Sequence, residues 1–140
     1  MKYGLLDLYE NPKSIFLFGD NDIKRGKKGQ SIIRDLDNAF GIPTKKFPSY
    51  NPEAYYSDTI FSYCKGKLDI AFENLEKLLK NNQYESISIP FDGIGTGLAR
   101  LKEKAPETNK YLLEKLDNLF RSYLVQEDYL EYKKLNNYKI

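Results

Sequence analysis

Two short glycine-rich stretches follow apolar runs in this chain, and their chemistry is that of anion binding. Gly93-Ile94-Gly95-Thr96-Gly97 places three glycines in five residues. Such a stretch can adopt positive φ and bring its backbone against a ligand. Its successive N–H groups can form a nest for an anion, and Thr96 adds a hydroxyl suited to phosphate or ribose. A tight strand-to-helix turn without a ligand is the alternative reading. The other stretch, Arg25-Gly26-Lys27-Lys28-Gly29, carries cations at Lys24, Arg25, Lys27 and Lys28. A helix opening near Gln30 would add its free N–H groups and dipole to that field. A solvated basic loop is the alternative there. Neither stretch has the G-x-x-x-x-G-K-[ST] or G-x-G-x-x-G spacing of the common nucleotide loops.

Polar residues mark the junctions into these loops: Asp20, Asn21 and Asp22 before the first, Asp92 before the second. A carboxylate or carboxamide there can bond ribose hydroxyls or an adenine amine. Asp and Asn also satisfy their own backbone at such corners. Turn chemistry is the favoured reading for Asp22, function for Asn21 and Asp92. Lys45, closing Ile42-Pro43-Thr44-Lys45, is either a stabiliser of developing negative charge or an exposed lysine at a strand end.

Composition narrows the chemistry. The chain has no His, which removes His general bases, Ser-His and Cys-His pairs and His-based zinc sites. Its one cysteine, Cys64, excludes an intramolecular disulfide framework. Charges of 22 Lys plus Arg against 20 Asp plus Glu give +2, too little to coat nucleic acid by charge alone. Tyrosine and lysine interleave near the end, at Tyr129, Tyr132, Lys133, Lys134, Tyr138 and Lys139, but Glu127, Asp128 and Glu131 offset them. Nucleic acid is therefore an unfavoured partner. No metal or cofactor is expected. No signal-like or membrane-length apolar run is present, so the expected location is the cytoplasm.

The elements that must position the loops follow from periodicity. Ser14–Phe18 is apolar on both faces and suits a strand buried on both sides. Gln30–Asn38 is expected to be helical, with Ile32, Ile33, Leu36 and Phe40 roughly on one face. A short strand follows Gly41, then a Tyr-rich loop over residues 48–58. Ser57 or Asp58 is expected to cap a helix running to about Asn82, with Gly66 as a weak point. Ser86–Phe91 reads as a second strong strand. Pro106 fits the first turn of a helix reaching about Leu124, striped by Leu112, Leu113, Leu116, Leu119, Phe120 and Tyr123. Residues 126–140 read as a peripheral helix or loose tail of the single domain spanning 1–140. Alternating strands and helices imply an α/β fold with a mainly parallel sheet, whose ligands sit outside the carboxyl ends of strands.

Ile87-Ser88-Ile89-Pro90-Phe91-Asp92-Gly93-Ile94-Gly95-Thr96-Gly97 resembles the strand and phosphate loop of macro domains. Phe16-Leu17-Phe18-Gly19-Asp20-Asn21, followed by Arg25 to Gln30, resembles their strand, Asn and glycine loop. Phe18-Gly19-Asp20-Asn21 with Gly41-Ile42-Pro43-Thr44-Lys45 is similar to small macro-like proteins of phages and bacteria, which carry F-G-x-N, I-P-T-K and I-G-x-G-x-A segments. The resemblance spans about residues 14–124 in three short motifs. It implies a three-layer α/β/α fold with a mixed, mainly parallel sheet, and binding of ADP-ribose. Asn21 would lie near the distal ribose. Gly26, Gly29 and Gln30 would line the first loop, and Gly93, Ile94, Gly95, Thr96 and Gly97 would wrap the diphosphate. The first loop departs from the family's glycine run at Lys27-Lys28, and Asp7 is the nearest candidate for its adenine-binding aspartate.

The expected function is binding of ADP-ribose or a related nucleotide. Turnover would make the chain an ADP-ribosyl or ADP-ribose-phosphate hydrolase, with Asn21 orienting water and Asp20 or Asp92 as general base. The alternative is a non-enzymatic phage or mobile-element protein, acting in the host cytoplasm, that binds a host protein or sequesters a nucleotide second messenger. The small size and the aromatic segment Tyr50–Tyr56 motivate it.

Overall fold

A computed structural model of the chain describes residues 3–132 and 137–140. Its elements are α1 (Leu5–Glu10), β1 (Ser14–Asn21), β2 (Ala39–Lys45), α2 (Phe61–Lys80), β3 (Ser86–Ser88), α3 (Leu101–Lys104), α4 (Pro106–Tyr123), α5 (Gln126–Glu131) and β4 (Asn137–Lys139). The sheet order is β2-β1-β3-β4. β1 pairs in parallel with both β2 and β3, and β4 closes the edge antiparallel to β3. The sheet is therefore mixed and mainly parallel.

The double-sided apolar pattern of β1 explains the layering. Side chains alternate across a strand, so Ile15 and Leu17 face one layer while Phe16 and Phe18 face the other. The first layer is the main core, where Leu68, Phe72 and Leu75 of α2 meet Leu112, Leu116, Leu119 and Phe120 of α4. The second is smaller and holds Phe16, Phe18, Tyr3, Leu8 and Ile33. Both faces are covered, which gives an α/β fold of three layers. The chain leaves β1 toward β2 across the smaller layer and returns past β1 to β3 through α2 on the main layer. Strand order thus reverses between β1 and β3, the position where open α/β sheets bind ligands.

Several expectations need correction. Gln30–Asn38 is not a helix: one 3-10 turn, Gly29–Ile33, is followed by hydrogen-bonded turns up to Ala39. Asp35, Asp37 and Asn38 favour turns over helix interiors. The buried Asn38 carboxamide donates to the carbonyls of Leu8, Asn11 and Ser14 at 3.1 Å each, a role no helical residue on a solvent face could fill. Phe40 accordingly does not share a face with Ile33; it packs on the main core while Ile33 packs on the smaller one. Ile32 and Leu113 are exposed. The strand expected to reach Phe91 ends at Ser88, because β1 pairs with it only from Ser14 to Phe16. Gly66 leaves α2 unbroken. The described part of residues 126–140 is a helix without buried residues, α5, as one of the two expectations had it, and the short strand β4, whose Tyr138 is fully buried. Lys133 and Lys134 lie outside the described residues.

Candidate functional site

The first loop leaves β1 at Asn21. The Asn21 carboxamide donates to the Arg25 carbonyl at 2.7 Å and accepts from the Arg25 amide at 3.3 Å, so it closes the turn over residues 21–25. Lys24 takes φ 55° inside that turn. Arg34, which sequence reasoning passed over, is the hub of this loop. Its Nε donates to the Gly26 carbonyl and an Nη to the Arg25 carbonyl, both at 3.0 Å, while the other Nη pairs with Asp20. In a trans peptide the N–H points opposite the C=O. Fixing those two carbonyls on Arg34 therefore turns the amides of Gly26 and Lys27 away from it. The amides of Gly26, Lys27 and Lys28 donate to no protein acceptor among the described residues.

Asp20 is buried and engaged: besides Arg34 it accepts from the Asn21 amide at 2.7 Å. Both bonds fall on its Oδ1. Asp22 is engaged as well. One oxygen accepts from the Tyr56 hydroxyl at 2.5 Å and the other from the Tyr63 hydroxyl. These partners stand 34 and 41 residues along the chain, so no local spacing announces them. Asp7 uses its carboxylate on the Gly4 amide at the start of α1.

The second loop arches over the end of β1 as far as β2. A Cβ built on Gly19 would lie 3.5 Å from both the Gly95 amide and Thr44 Oγ1. Gly93 and Gly95 have φ of 90° and 79°, which is the conformation that calls for glycine. At Gly95 a Cβ would also press on Leu101 and Thr44 at 3.2–3.3 Å. Gly97 differs, since a Cβ there meets nothing within 4 Å. The amides of Ile94, Gly95, Thr96, Gly97 and Leu98 also donate to no protein acceptor among the described residues. Ile94 and Gly95 are nonetheless buried. Buried N–H groups are almost always paired in folded proteins.

Gln30 joins the two loops. Its Oε1 accepts from the Gly19 amide at 2.8 Å, and its Nε2 donates to the Gly93 carbonyl at 2.8 Å and to Asp92 at 3.4 Å. Where β3 has parted from β1, this side chain replaces the missing strand. Gly29 also lies close to Leu98, 3.7 Å from a would-be Cβ. Asp92, Thr96 and Gly97 are exposed above this floor. The structure thus brings Gly29, Gln30, Asp92 and Gly93–Gly97 together, with Gly26 and Asn21 on the adjoining turn. The helix dipole expected behind Gly29 is absent, because one 3-10 turn supplies too few aligned peptides.

Lys45 ends β2 in register with Asn21. It is 7% exposed, so it is not the exposed lysine of the alternative reading. Its ammonium lies 4.4 Å from the Tyr55 ring centroid and 5.4 Å from that of Tyr50. Burial holds it below the usual lysine range. A groove of about 360 Å³ runs from Asp20, Asn21 and Asp22 along the free edge of β2 to Lys67 and Ile70 of α2. Another, of about 420 Å³, lies between α2 and α4 and touches none of the expected site residues. Among the described residues no cluster of acidic or cysteine side chains is arranged for a metal ion. Among them, too, no helix is long and apolar enough to cross a membrane.

Residues 2–115 match the model of a family of unknown function, DUF7831. No curated protein and no solved structure matches the chain.

Proposed function

We propose a nucleotide-binding role for this chain, which belongs to the DUF7831 family. The ligand is ADP-ribose or a related nucleoside diphosphate, bound outside the carboxyl ends of β1 and β3. One observation carries this reading. Two runs of backbone amides, Gly26–Lys28 and Ile94–Leu98, are without protein acceptors among the described residues and flank the point where strand order reverses. Oriented N–H groups of this kind suit phosphate oxygens, and two such runs suit a ligand with two phosphates. Asp92 and Thr96, exposed at the rim, are placed to meet sugar hydroxyls.

Binding takes precedence over turnover. Asn21 and Asp20 are occupied within the loop they build, which leaves Asp92 as the accessible one of the two carboxylates. If ADP-ribosyl hydrolysis occurs, Asp92 is its base, and Asp92→Asn abolishes turnover while ADP-ribose still binds.

Gly97→Ala provides the test. Its added methyl meets no protein atom and its backbone is not in the left-handed region. The variant should therefore melt within about 0.5 kcal/mol of the parent, as ordinary surface substitutions do. Isothermal titration should show ADP-ribose binding to the parent and a loss of tenfold or more in the variant. An absence of heat with ADP-ribose, NAD and cyclic ADP-ribose forms would overturn the reading.

A further inference from the structure

Lys45 is 7% exposed as a residue, so its stem is buried and only its tip reaches solvent. No carboxylate or carbonyl accepts from its ammonium among the described residues. Only the faces of Tyr55 and Tyr50 meet it. Ring faces attract an ammonium, but they do not replace its hydration. Lys104 comes to the same ring, 5.0 Å from the Tyr55 centroid, and it too has no ion pair among the described residues.

The elements that bring the two lysines together are those of the glycine loops. Lys104 ends α3, and α3 is pinned to the second loop by the Leu101 amide donating to the Gly95 carbonyl at 2.9 Å. Lys45 ends β2 beside Asn21, and Tyr55 is held to Lys45 by an antiparallel bridge. The first loop closes the outer wall, where Gly26 abuts Pro48. Two ammonium groups thus lie within 5.0 Å of one ring centroid with no anion between them among the described residues, an arrangement that an anionic ligand would complete.

We propose that Lys45 and Lys104, placed around Tyr55, form a phosphate subsite that selects doubly charged phosphorylated ligands over neutral nucleosides. The inference rests on the nucleotide-binding reading of the same crevice and adds to it the residues that read ligand charge. The backbone amides supply direction, and the lysines supply the neutralising charge.

The test uses inorganic pyrophosphate, ADP-ribose and adenosine in isothermal titrations on the intact chain, Lys45→Met and Lys104→Met. Methionine keeps an unbranched apolar stem and removes the charge. The parent should bind pyrophosphate and ADP-ribose but not adenosine, and each variant should bind both anions at least tenfold more weakly. The unliganded Tm of Lys45→Met should equal or exceed that of the parent, because a partly desolvated cation without an ion pair among the described residues is gone. If that variant is poorly folded, the exposed Lys104→Met gives the answer alone. ADP-ribose bound by both variants with parental affinity overturns the subsite and spares the nucleotide reading. Lysine-dependent pyrophosphate binding with no gain from ADP-ribose sustains the subsite and overturns the nucleotide reading. No binding of either anion to the parent overturns both.

Discussion

Asp22 shows how far a single residue's role can lie from its local sequence. It sits in a polar run that reads as a turn, and the turn is closed by the Lys24 amide donating to the Asn21 carbonyl, while the Asp22 amide reaches across to the Lys45 and Lys46 carbonyls at the end of β2. Its carboxylate does something else, accepting from Tyr56 and Tyr63. Tyr56 is fully buried, so its hydroxyl must be paired, and the carboxylate that pairs it also anchors the first loop to α2. Hydrogen bonds to charged groups contribute ~1.5–3 kcal/mol. Tyr56→Phe should therefore lower the unfolding free energy by about 2 kcal/mol. Tyr63→Phe, at a half-exposed ring, should cost well under half of that. Urea denaturation of the two variants checks the ranking; equal losses would mean that Asp22 is not held as described. The loop glycines and their junction residues were legible because their chemistry is local. Arg34, the Asp22 tyrosines and the bridge that Gln30 makes to the second loop were not, because each acts across a gap that only the fold closes.

At the scale of elements, periodicity was informative where a segment buries one long stripe. α2 and α4 stand near their expected limits because Leu68, Phe72, Leu75 and Leu79 face Leu112, Leu116, Leu119 and Phe120 at helical spacing. The same rule misled at Gln30–Asn38, where three apolar residues in nine suggested a stripe. There the turn preferences of Asp35, Asp37 and Asn38 prevailed, with Asn38 serving as a buried spoke. Capping was half legible. Asp58 looks like the cap of its own helix, but its carboxylate accepts instead from the amides of Glu107 and Thr108 at 3.2 and 3.4 Å. It thus satisfies the first turn of α4, where Pro106 and Ala105 offer no capping side chain. Loss of a cap costs ~0.5–2 kcal/mol, so Asp58→Ala should destabilise the chain by about 1 kcal/mol. Hydrogen exchange should quicken at Glu107 and Thr108, not at the start of α2. Acceleration confined to residues 58–62 would contradict this assignment.

Across the whole molecule, tyrosine binds distant parts of the fold, and it does so beyond the stretch that matches the family. The family match ends at residue 115, yet Tyr138 is fully buried in the main core and pairs in register with Ile87. Composition had shown twelve tyrosines, but nothing in their spacing revealed that the last of them closes the sheet. Their burial makes a prediction about alkaline pH. Burial first, then the Asp22 carboxylate, pushes Tyr63 up to about 12 and Tyr56 further still. Burial and Asp117 push Tyr132 up to about 12. Tyr3 and Tyr84 are raised by burial in the same direction. A group whose folded pKa exceeds its unfolded value of 10.0 stabilises fully below pH 10. That contribution is lost as pH rises through the folded value, because the unfolded chain sheds its proton first. Lys45 has the opposite sign: its charge is costly to bury below its lowered pKa, and this cost fades as pH approaches 10.5. Burial also raises the Cys64 thiol from 9.0, and Asp69 raises Lys65 from 10.5, so these two add to the five tyrosines against one lowered lysine. Urea midpoints should thus be flat from about pH 7.5 to 8.5, begin to fall above 9 and decline steeply from 10 to 11.5. Absorbance at 295 nm should show part of the tyrosine complement ionising only as the chain unfolds. Asp22→Asn removes one carboxylate that raises Tyr56 and Tyr63, so it should move part of that late ionisation to lower pH. Complete titration of all twelve tyrosines near pH 10 in the folded chain would refute the burial of these rings.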